Sequence, residues 1–148
     1  MFTNVLYSRK EGVFMSIGIG GFCSKLSEDE NEITYSYSSY NLNDSDHKNL
    51  DKIEDGLIVM HRSALIEPEI HKKINRMPNG RKESVIKRIP NDIPLSDLIR
   101  EGKICVKNCS NTWKTIDDCD VVAYNICYHL LIEYQIYGRF SENWSYNK

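Results

Sequence analysis

The densest group of side chains able to exchange protons lies between positions 61 and 71. It holds two imidazoles, a guanidinium, a hydroxyl and two carboxylates: His61, Arg62, Ser63, Glu67, Glu69 and His71. General-base or metal-assisted hydrolysis requires at least two such groups to converge on one point. Glu67 and His71 are four residues apart, a spacing that on a helix makes a surface pair, and no His-Glu-x-x-His motif is present. The pattern favours solvated surface residues, and a hydrolytic enzyme that uses the His61–His71 region is the alternative.

The cysteines raise the questions of zinc binding and of thiol catalysis. There are five of them: Cys23, Cys105, Cys109, Cys119 and Cys127. Structural zinc sites usually contain two closely spaced Cys-x2-Cys pairs, and neither pair occurs here, although His129 lies near the last cysteine. A nucleophilic Cys109 would need a positioned base, which the sequence does not assign. We therefore expect no metal and no cofactor, and an odd number of cysteines in a cytosolic chain predicts free thiols.

A glycine-rich stretch, Gly18-Ile19-Gly20-Gly21, invites comparison with phosphate-binding loops. Such loops lie between a strand and a helix, so that backbone amides and the helix N-terminus cradle the phosphate. Here the glycines lie within strand-like sequence and no Gly-Lys-Ser/Thr follows. The stretch therefore indicates a bulge or a close backbone approach within a strand.

The charged residues are sorted by region. Between residues 27 and 55, nine acidic residues accompany two lysines, and between residues 61 and 89, eight basic residues accompany three acidic ones. The net charge of −2 for the whole chain hides this segregation. Regions of one sign create local potentials that steer association, so they inform on binding rather than on fold.

The basic region contains a Met-Pro-Asn-Gly turn flanked by arginines and lysines, which predicts a surface projection. The candidate nucleic-acid contacts in it are Arg76, Arg81, Lys82 and Arg88. Such side chains contact phosphates or an acidic protein patch, and a further interpretation is that they pair with the acidic region of the same molecule. Because strong nucleic-acid binders usually carry net positive charge, nucleic acid is the second choice of partner.

The acidic region is the first choice for a partner-binding surface. Acidic loops beside an aromatic strand suit a basic partner. The nine tyrosines and two tryptophans exceed what one core needs, and such residues are favoured interface anchors. The predicted contacts are the carboxylates Glu28, Asp29, Glu30, Asp44 and Asp46, with Tyr35 and Tyr37 as neighbouring anchors.

Alternation of apolar and polar residues predicts the strands that position these groups. Residues 2–7, 13–22 and 33–38 form an antiparallel meander with a hairpin turn over residues 9–12. Shorter strands follow, and they cover residues 57–60, 85–89 and 104–106.

Four helices are expected. Residues 47–54 form a short exposed helix, Pro68 begins one over residues 69–75, and residues 94–100 form another. The last, about 20 residues long, begins at a cap by Asp117 or Asp118 and ends at Gly138. Apolar residues recur along it at spacings of three and four, so it covers one face of the sheet.

The whole chain is expected to form one α+β domain, residues 1–148, with an antiparallel sheet packed against the long C-terminal helix and the short helices. No apolar run reaches the roughly 20 residues needed to span a bilayer, and the N-terminus does not resemble a signal peptide. We therefore expect a cytoplasmic protein that does not bind membranes.

The chain is small, slightly acidic, rich in tyrosine and without a recognisable catalytic constellation. In this general character it resembles bacterial toxin-immunity proteins. The resemblance implies stoichiometric, non-enzymatic binding that neutralises a cognate toxin, often a nuclease. A small nucleic-acid-associated or hydrolytic enzyme is the alternative.

Overall fold

A computed structural model of the chain describes residues 5–8, 13–16 and 18–147. Its elements in chain order are β1 Val5–Ser8, β2 Val13–Ser16, β3 Ile19–Glu28, β4 Glu32–Asn41, β5 Gly56–His61, a 3-10 turn Arg62–Ala64, β6 Glu69–Arg76, β7 Lys82–Ile89, α1 Leu95–Arg100, β8 Ile104–Lys107, β9 Thr115–Ile116, β10 Cys119–Asp120, α2 Val121–Tyr137 and β11 Asn143–Asn147. The central sheet has the order β11-β3-β4-β5-β8, and every neighbouring pair in it is antiparallel.

The core lies between one face of this sheet and α2. Alternate residues of the strands point inward, and the fully buried ones include Tyr35, Tyr37, Ile58 and Met60. They meet the inner side of α2, which contacts β3 and β4. The predicted α+β class, with a long helix against an antiparallel sheet, is confirmed. In the described part of the chain no helix is both long and apolar enough to cross a bilayer.

The helix α2 begins two or three residues later than predicted. Asp120 is its N-cap, and its carboxylate accepts a hydrogen bond from the Val122 amide at 2.9 Å. Asp117 and Asp118 have φ angles of 51° and 64°, which places them in the turn between β9 and β10. Gly138 ends the helix with φ 73°, as predicted. The helix therefore has 17 residues rather than about 20.

The opening segment forms two hairpins rather than one meander. β1 pairs with β2 in a separate two-stranded sheet, whereas β3 pairs with β4 in the central sheet. The strand predicted over residues 13–22 is divided near Gly18, whose φ of 83° interrupts an extended chain. The hairpin turn predicted over residues 9–12 lies outside the described residues.

The glycine-rich stretch serves close packing. A Cβ atom on Gly21 would lie 2.2 Å from the Ser38 carbonyl oxygen and 2.7 Å from Cγ1 of Val122 in α2. Only glycine lets the helix approach the strand this closely. The prediction of a close backbone approach within a strand is confirmed.

Two predicted helices are wrong. Residues 69–75 belong to β6, which pairs with β7 around a turn at residues 77–81. Residues 47–54 form an irregular loop, in which Asn49 and Lys52 have φ angles of 51° and 53°. The Asn49 side chain accepts a hydrogen bond from the Ile53 amide at 2.8 Å, so a local polar contact replaces helical hydrogen bonding.

The C-terminal strand β11 is a further difference, since no strand was predicted there. It pairs with β3 at one edge of the central sheet, where Trp144 faces Cys23 and Tyr146 faces Gly21. His129 of α2 stacks on Trp144 with ring centroids 5.1 Å apart. The terminal aromatic residues are thus used for packing.

Candidate functional site

Strands β6 and β7 form a two-stranded antiparallel ribbon that is separate from the central sheet. Each strand has eight residues, and the pairing is regular from Glu69 with Ile89 to Arg76 with Lys82. At about 3.3 Å per residue the ribbon is roughly 26 Å long. Most of its residues are exposed to solvent. The basic region therefore lies on a projecting β-hairpin instead of the predicted helix and turn.

The two faces of this ribbon differ in chemistry. Directly paired residues of antiparallel strands share a face, and successive residues alternate between faces. One face, here called the isoleucine face, holds Ile70, Lys72, Ile74, Arg76, Lys82, Ser84, Ile86 and Arg88. The opposite face holds Glu69, His71, Lys73, Asn75, Glu83, Val85, Lys87 and Ile89. The isoleucine face thus combines four cations and three isoleucines without a carboxylate, whereas the opposite face balances two lysines with two glutamates.

The three isoleucines of the isoleucine face are unusually exposed. Ile74 is 70% accessible, Ile86 61% and Ile70 48%. Burying apolar surface stabilises a protein by about 25 cal/mol per Å². Apolar side chains that stay in solvent do not contribute this free energy. An isolated two-stranded hairpin is at best marginally stable in water. A ribbon that leaves three isoleucines in solvent therefore has the composition of a surface that a partner covers.

The cations around these isoleucines are available for binding. Within the described part of the chain, the side chains of Lys72, Arg76, Arg81 and Lys82 form no hydrogen bond or ion pair. They do not pair with the acidic region of the same molecule. The competing interpretation of internal pairing is therefore wrong for the ribbon. An apolar centre with a charged rim is the usual anatomy of a protein interface.

The base of the ribbon is attached to α2 through Gln135, a fully buried amide side chain. Its oxygen accepts a hydrogen bond from the Asn91 amide at 2.7 Å, and its nitrogen donates to the Asn91 carbonyl at 3.0 Å. The Asn91 side chain in turn donates to the Glu67 carbonyl at 2.9 Å. Residue 67 precedes β6 and residue 91 follows β7. This network therefore holds the base of both strands against α2.

Arg88 is part of the same attachment. Its Nε donates to the Gln135 carbonyl at 2.7 Å, and its guanidinium lies against Gly138. A cation at this end of α2 also interacts favourably with the helix dipole. Arg88 was predicted as a nucleic-acid contact, but its side chain is half-buried and positions the ribbon.

No family model, curated protein or solved structure matches the chain.

The acidic region does not form one patch. Glu28, Asp29 and Glu30 lie at the turn between β3 and β4, whereas Asp44 and Asp46 follow the far end of β4. Ten residues of strand separate the two groups by roughly 30 Å. The five predicted partner contacts are thus divided between opposite ends of the sheet.

At the first end, two acidic residues already have partners. Glu28 contacts Lys25 at 2.7 Å and Arg62 at 3.1 Å, and the hydrogen bond from Lys25 is the main reason that the pKa of Glu28 is lowered. The Asp29 carboxylate accepts hydrogen bonds from the amides of Asn31 and Glu32, and these lower its pKa. Glu30 is exposed, and its carboxylate forms no hydrogen bond or ion pair in the described part of the chain.

The second end resembles the first. The Asp44 carboxylate accepts a hydrogen bond from the Asp46 amide at 3.0 Å and pairs with His47 at 2.8 Å, and its pKa is lowered for these reasons. Asp46 is exposed, and its carboxylate has no partner in the described part of the chain. Of the predicted acidic contacts, Glu30 and Asp46 are therefore the ones free to bind.

The two tyrosines predicted as surface anchors are in the core. Tyr35 and Tyr37 are fully buried, and burial raises the pKa of both phenols. The Tyr35 hydroxyl donates to the Ser141 carbonyl, and the Tyr37 hydroxyl donates to Asp120 at 2.9 Å. This prediction is corrected because neither ring is accessible to a partner.

The acid–base group at residues 61–71 is divided into local contacts rather than gathered at one point, with His61 against Ser63 at 2.9 Å and His71 against Glu69 at 3.2 Å. Nδ1 of His61 accepts a hydrogen bond from the Ser63 amide, so it caps the 3-10 turn. Arg62 binds Glu28 and the Asp29 carbonyl. The remaining side chains also have separate partners: Glu67 accepts a hydrogen bond from Tyr134, and His71 pairs with Glu69. The geometry therefore does not assemble the hydrolytic site considered as the alternative.

Four of the five cysteines are buried as free thiols, and Cys105 is exposed. In the described residues no three His, Cys, Asp or Glu side chains are close enough to hold a metal ion. Burial raises the pKa of Cys119 to about 12 and that of Cys127 well above its usual value. Both therefore stay protonated near neutral pH, whereas metal binding and nucleophilic attack need the thiolate.

The isoleucines of the ribbon were not among the functional candidates predicted from the sequence. The sequence signal was weak, because Ile70 and Ile74 are separated by three polar residues and no apolar residue stands between them. Ile70 and Ile74 are also four residues apart, so the same letters fit a helix. Only the pairing with β7 decides between the two periods.

Acid is expected to destabilise the fold through the paired carboxylates. The pKa of Glu28 is lowered from 4.5 and those of Asp29 and Asp44 from 3.8. A lowered pKa in the folded state gives stability that is present above the unfolded value and is lost as pH falls through the folded value. We expect the urea concentration at the unfolding midpoint to fall as pH drops below about 4.5. Glu28→Gln removes one of the titrating carboxylates, so the decrease just below about pH 4.5 should be smaller in this variant. A midpoint that stays constant down to about pH 3 would contradict this.

Proposed function

We propose that the chain is a non-enzymatic protein-binding module that docks an acidic partner on the isoleucine face of its ribbon. The observation that carries the proposal is the exposure of Ile70, Ile74 and Ile86 on a face that also presents the unpaired cations Lys72, Arg76 and Lys82 and has no carboxylate. The isoleucines supply apolar area to bury, and the cations select a partner with negative charge around an apolar centre.

A protein partner suits this face better than nucleic acid does. A two-stranded ribbon is narrow enough for the DNA major groove. However, a ribbon that reads bases places polar side chains on the groove-facing side, whereas Ile74 and Ile86 occupy the middle of this face. The net charge of −2 also disfavours approach of the whole molecule to a phosphate backbone.

The narrower proposal is an immunity-type inhibitor of a toxin. It is supported by exposed carboxylates without described partners, Glu30 at one end of the sheet and Asp46 at the other. A basic toxin would contact these ends, whereas the ribbon requires acidic residues on its partner. A partner of the ribbon must therefore carry negative charge, whereas a partner of Glu30 and Asp46 must carry positive charge. An experiment that identifies the partner at each surface can distinguish the two proposals.

Site-specific photocrosslinking in the native host tests these proposals. The photoreactive residue p-benzoylphenylalanine replaces Ser84 on the isoleucine face, its neighbour Glu83 on the opposite face, or Glu30. All three positions are exposed, so the substitutions leave the core intact. We expect a protein adduct from position 84 and little from position 83.

The identity of the adduct decides between the classes of partner. A nucleic-acid adduct at position 84 would replace the protein proposal with the alternative. Equal yields at positions 83 and 84 would reject the isoleucine face as a docking surface. An adduct that forms at position 30 alone, with a basic protein, would support the immunity-type proposal against docking on the ribbon.

A further inference from the structure

A cavity of about 480 Å³ lies at the outer face of the central sheet, opposite α2. Phe22 of β3 and Tyr40 of β4 form its floor, and Leu42 and Leu50 of the following loop form its apolar wall. Lys48, Asn49 and Lys52 complete the lining. The volume lies within the roughly 300–1,000 Å³ that is usual for small-molecule sites.

The loop that forms the wall is held in place by hydrogen bonds. Asn49 donates from its side chain to the carbonyls of Ser39 and Ile53, each at 3.2 Å, and accepts from the Ile53 amide. Asn111 donates to the carbonyls of Ser39 and His47, each at 2.8 Å. The cavity is therefore preformed, and binding does not have to order the loop.

Leu50 occupies an unusual position on this rigid loop. It is 77% exposed although its backbone neighbours are fixed, and Leu42 is 49% exposed. A leucine that is held in solvent by its own loop, beside an open apolar cavity, gains stabilisation only when a ligand covers it.

The carboxylates of the loop do not line this cavity. Lys48 and Lys52 line the apolar cavity and form no ion pair in the described part of the chain. Asp46 and Asp51 line a different cavity, on the side of Ser110, which Lys48 also borders. The apolar cavity therefore has cations and no carboxylate in its lining.

Lys52 also adopts a backbone conformation that is rare for lysine. Its φ of 53° lies in the left-handed region, which glycine and asparagine tolerate better. Strained residues of this kind are concentrated at ligand-binding positions. Lys52 is one of the residues that line the cavity.

We propose that this cavity binds a small amphiphile with an anionic head group. The apolar part of the ligand packs on Phe22, Leu42 and Leu50, and its head group pairs with Lys48 and Lys52. The site is independent of the ribbon, because none of its residues belongs to β6 or β7.

Titration calorimetry with dodecanoate, below its micellar concentration, tests this site. Dodecanol, which has the same chain and no charge, is the matched ligand. We expect dodecanoate to bind roughly fivefold more tightly than dodecanol, since two exposed ion pairs together contribute about a factor of this size. The double variant Lys48→Gln/Lys52→Gln should lose this preference and bind both ligands alike.

The control variant is Lys107→Gln/Lys114→Gln, which removes two exposed charges elsewhere and should keep the preference for dodecanoate over dodecanol.

Leu50→Asp should abolish binding without unfolding the protein, because Leu50 is exposed. Lys52→Gly should weaken dodecanoate binding. The thermal unfolding midpoint of this variant should not fall, since glycine tolerates the φ angle of residue 52. Absence of dodecanoate binding, equal affinity for dodecanol, or an equal loss in the control variant would each overturn the proposal.

Discussion

Replacing Asp120 with alanine is expected to lower the free energy of unfolding by about 3 kcal/mol. The Asp120 carboxylate is fully buried and accepts hydrogen bonds from the hydroxyls of Tyr37 and Thr112 and from the Val122 amide, at 2.9, 3.0 and 2.9 Å. Losing a helix N-cap costs about 1 kcal/mol, and a buried hydroxyl left without an acceptor costs about 1–3 kcal/mol. Urea unfolding followed by circular dichroism measures the loss.

Asp118 provides a matched control for this carboxylate. It is exposed, lies two residues before Asp120, and is one of the two caps predicted from the sequence. Asp120→Asn should cost about 1–2 kcal/mol, because the amide keeps an oxygen for Val122 but presents a donor toward the hydroxyls. Asp118→Asn should change stability by less than about 0.5 kcal/mol. Equal losses in the two variants would show that the hydrogen bonds of Asp120 do not stabilise the fold.

The cap predicted from the sequence, Asp117 or Asp118, is wrong because Asp120, which has the same side chain, lies only two residues beyond Asp118. Asp117, Asp118 and Asp120 all have side chains suited to capping. The choice depends on Tyr37 and on the loop that carries Thr112, since both must meet the chosen carboxylate. Such contacts join strands and loops far apart in sequence, so local patterns do not contain them.

The fold class was predictable for a related reason. Residues 121–137 form a long, largely apolar run that ends at Gly138, and apolar and polar residues alternate over residues 33–38 of β4. The ribbon was not predictable, because Ile70 and Ile74 fit both periods and the two strands have no buried face to show. Pairing energy between β6 and β7, together with the attachment through Gln135, overrides the local helical signal.

The candidate binding surfaces also depend on contacts that local sequence patterns do not contain. The sequence located the charges, and it identified the basic region as a surface projection. It did not show that Glu28, Asp29 and Asp44 are occupied by local contacts, or that Tyr35 and Tyr37 are buried. Whether a charge is free depends on the neighbours that the fold supplies, so free carboxylates and occupied ones look alike in sequence.

Charge reversal on the isoleucine face is expected to weaken partner binding roughly 100-fold, since each repulsive contact that replaces an attractive one costs about 1–2 kcal/mol. The variant is Lys72→Glu/Lys82→Glu, which changes two exposed side chains without described partners. Binding of the protein captured by crosslinking at position 84 can be measured by surface plasmon resonance. The association rate of the wild type should also fall as salt is raised.

The ribbon itself provides the control, Lys73→Glu/Lys87→Glu. It introduces the same change of charge into the same two strands, but on the opposite face. A general effect of net charge, or a loss of ribbon structure, would weaken binding equally in both variants and would contradict docking on the isoleucine face. Because residues 72 and 73 are adjacent, any difference between the variants reports the side of the ribbon that meets the partner.

Ile74→Ser tests the apolar contribution to binding separately from the electrostatic one. It should raise the dissociation rate without changing the salt dependence of association.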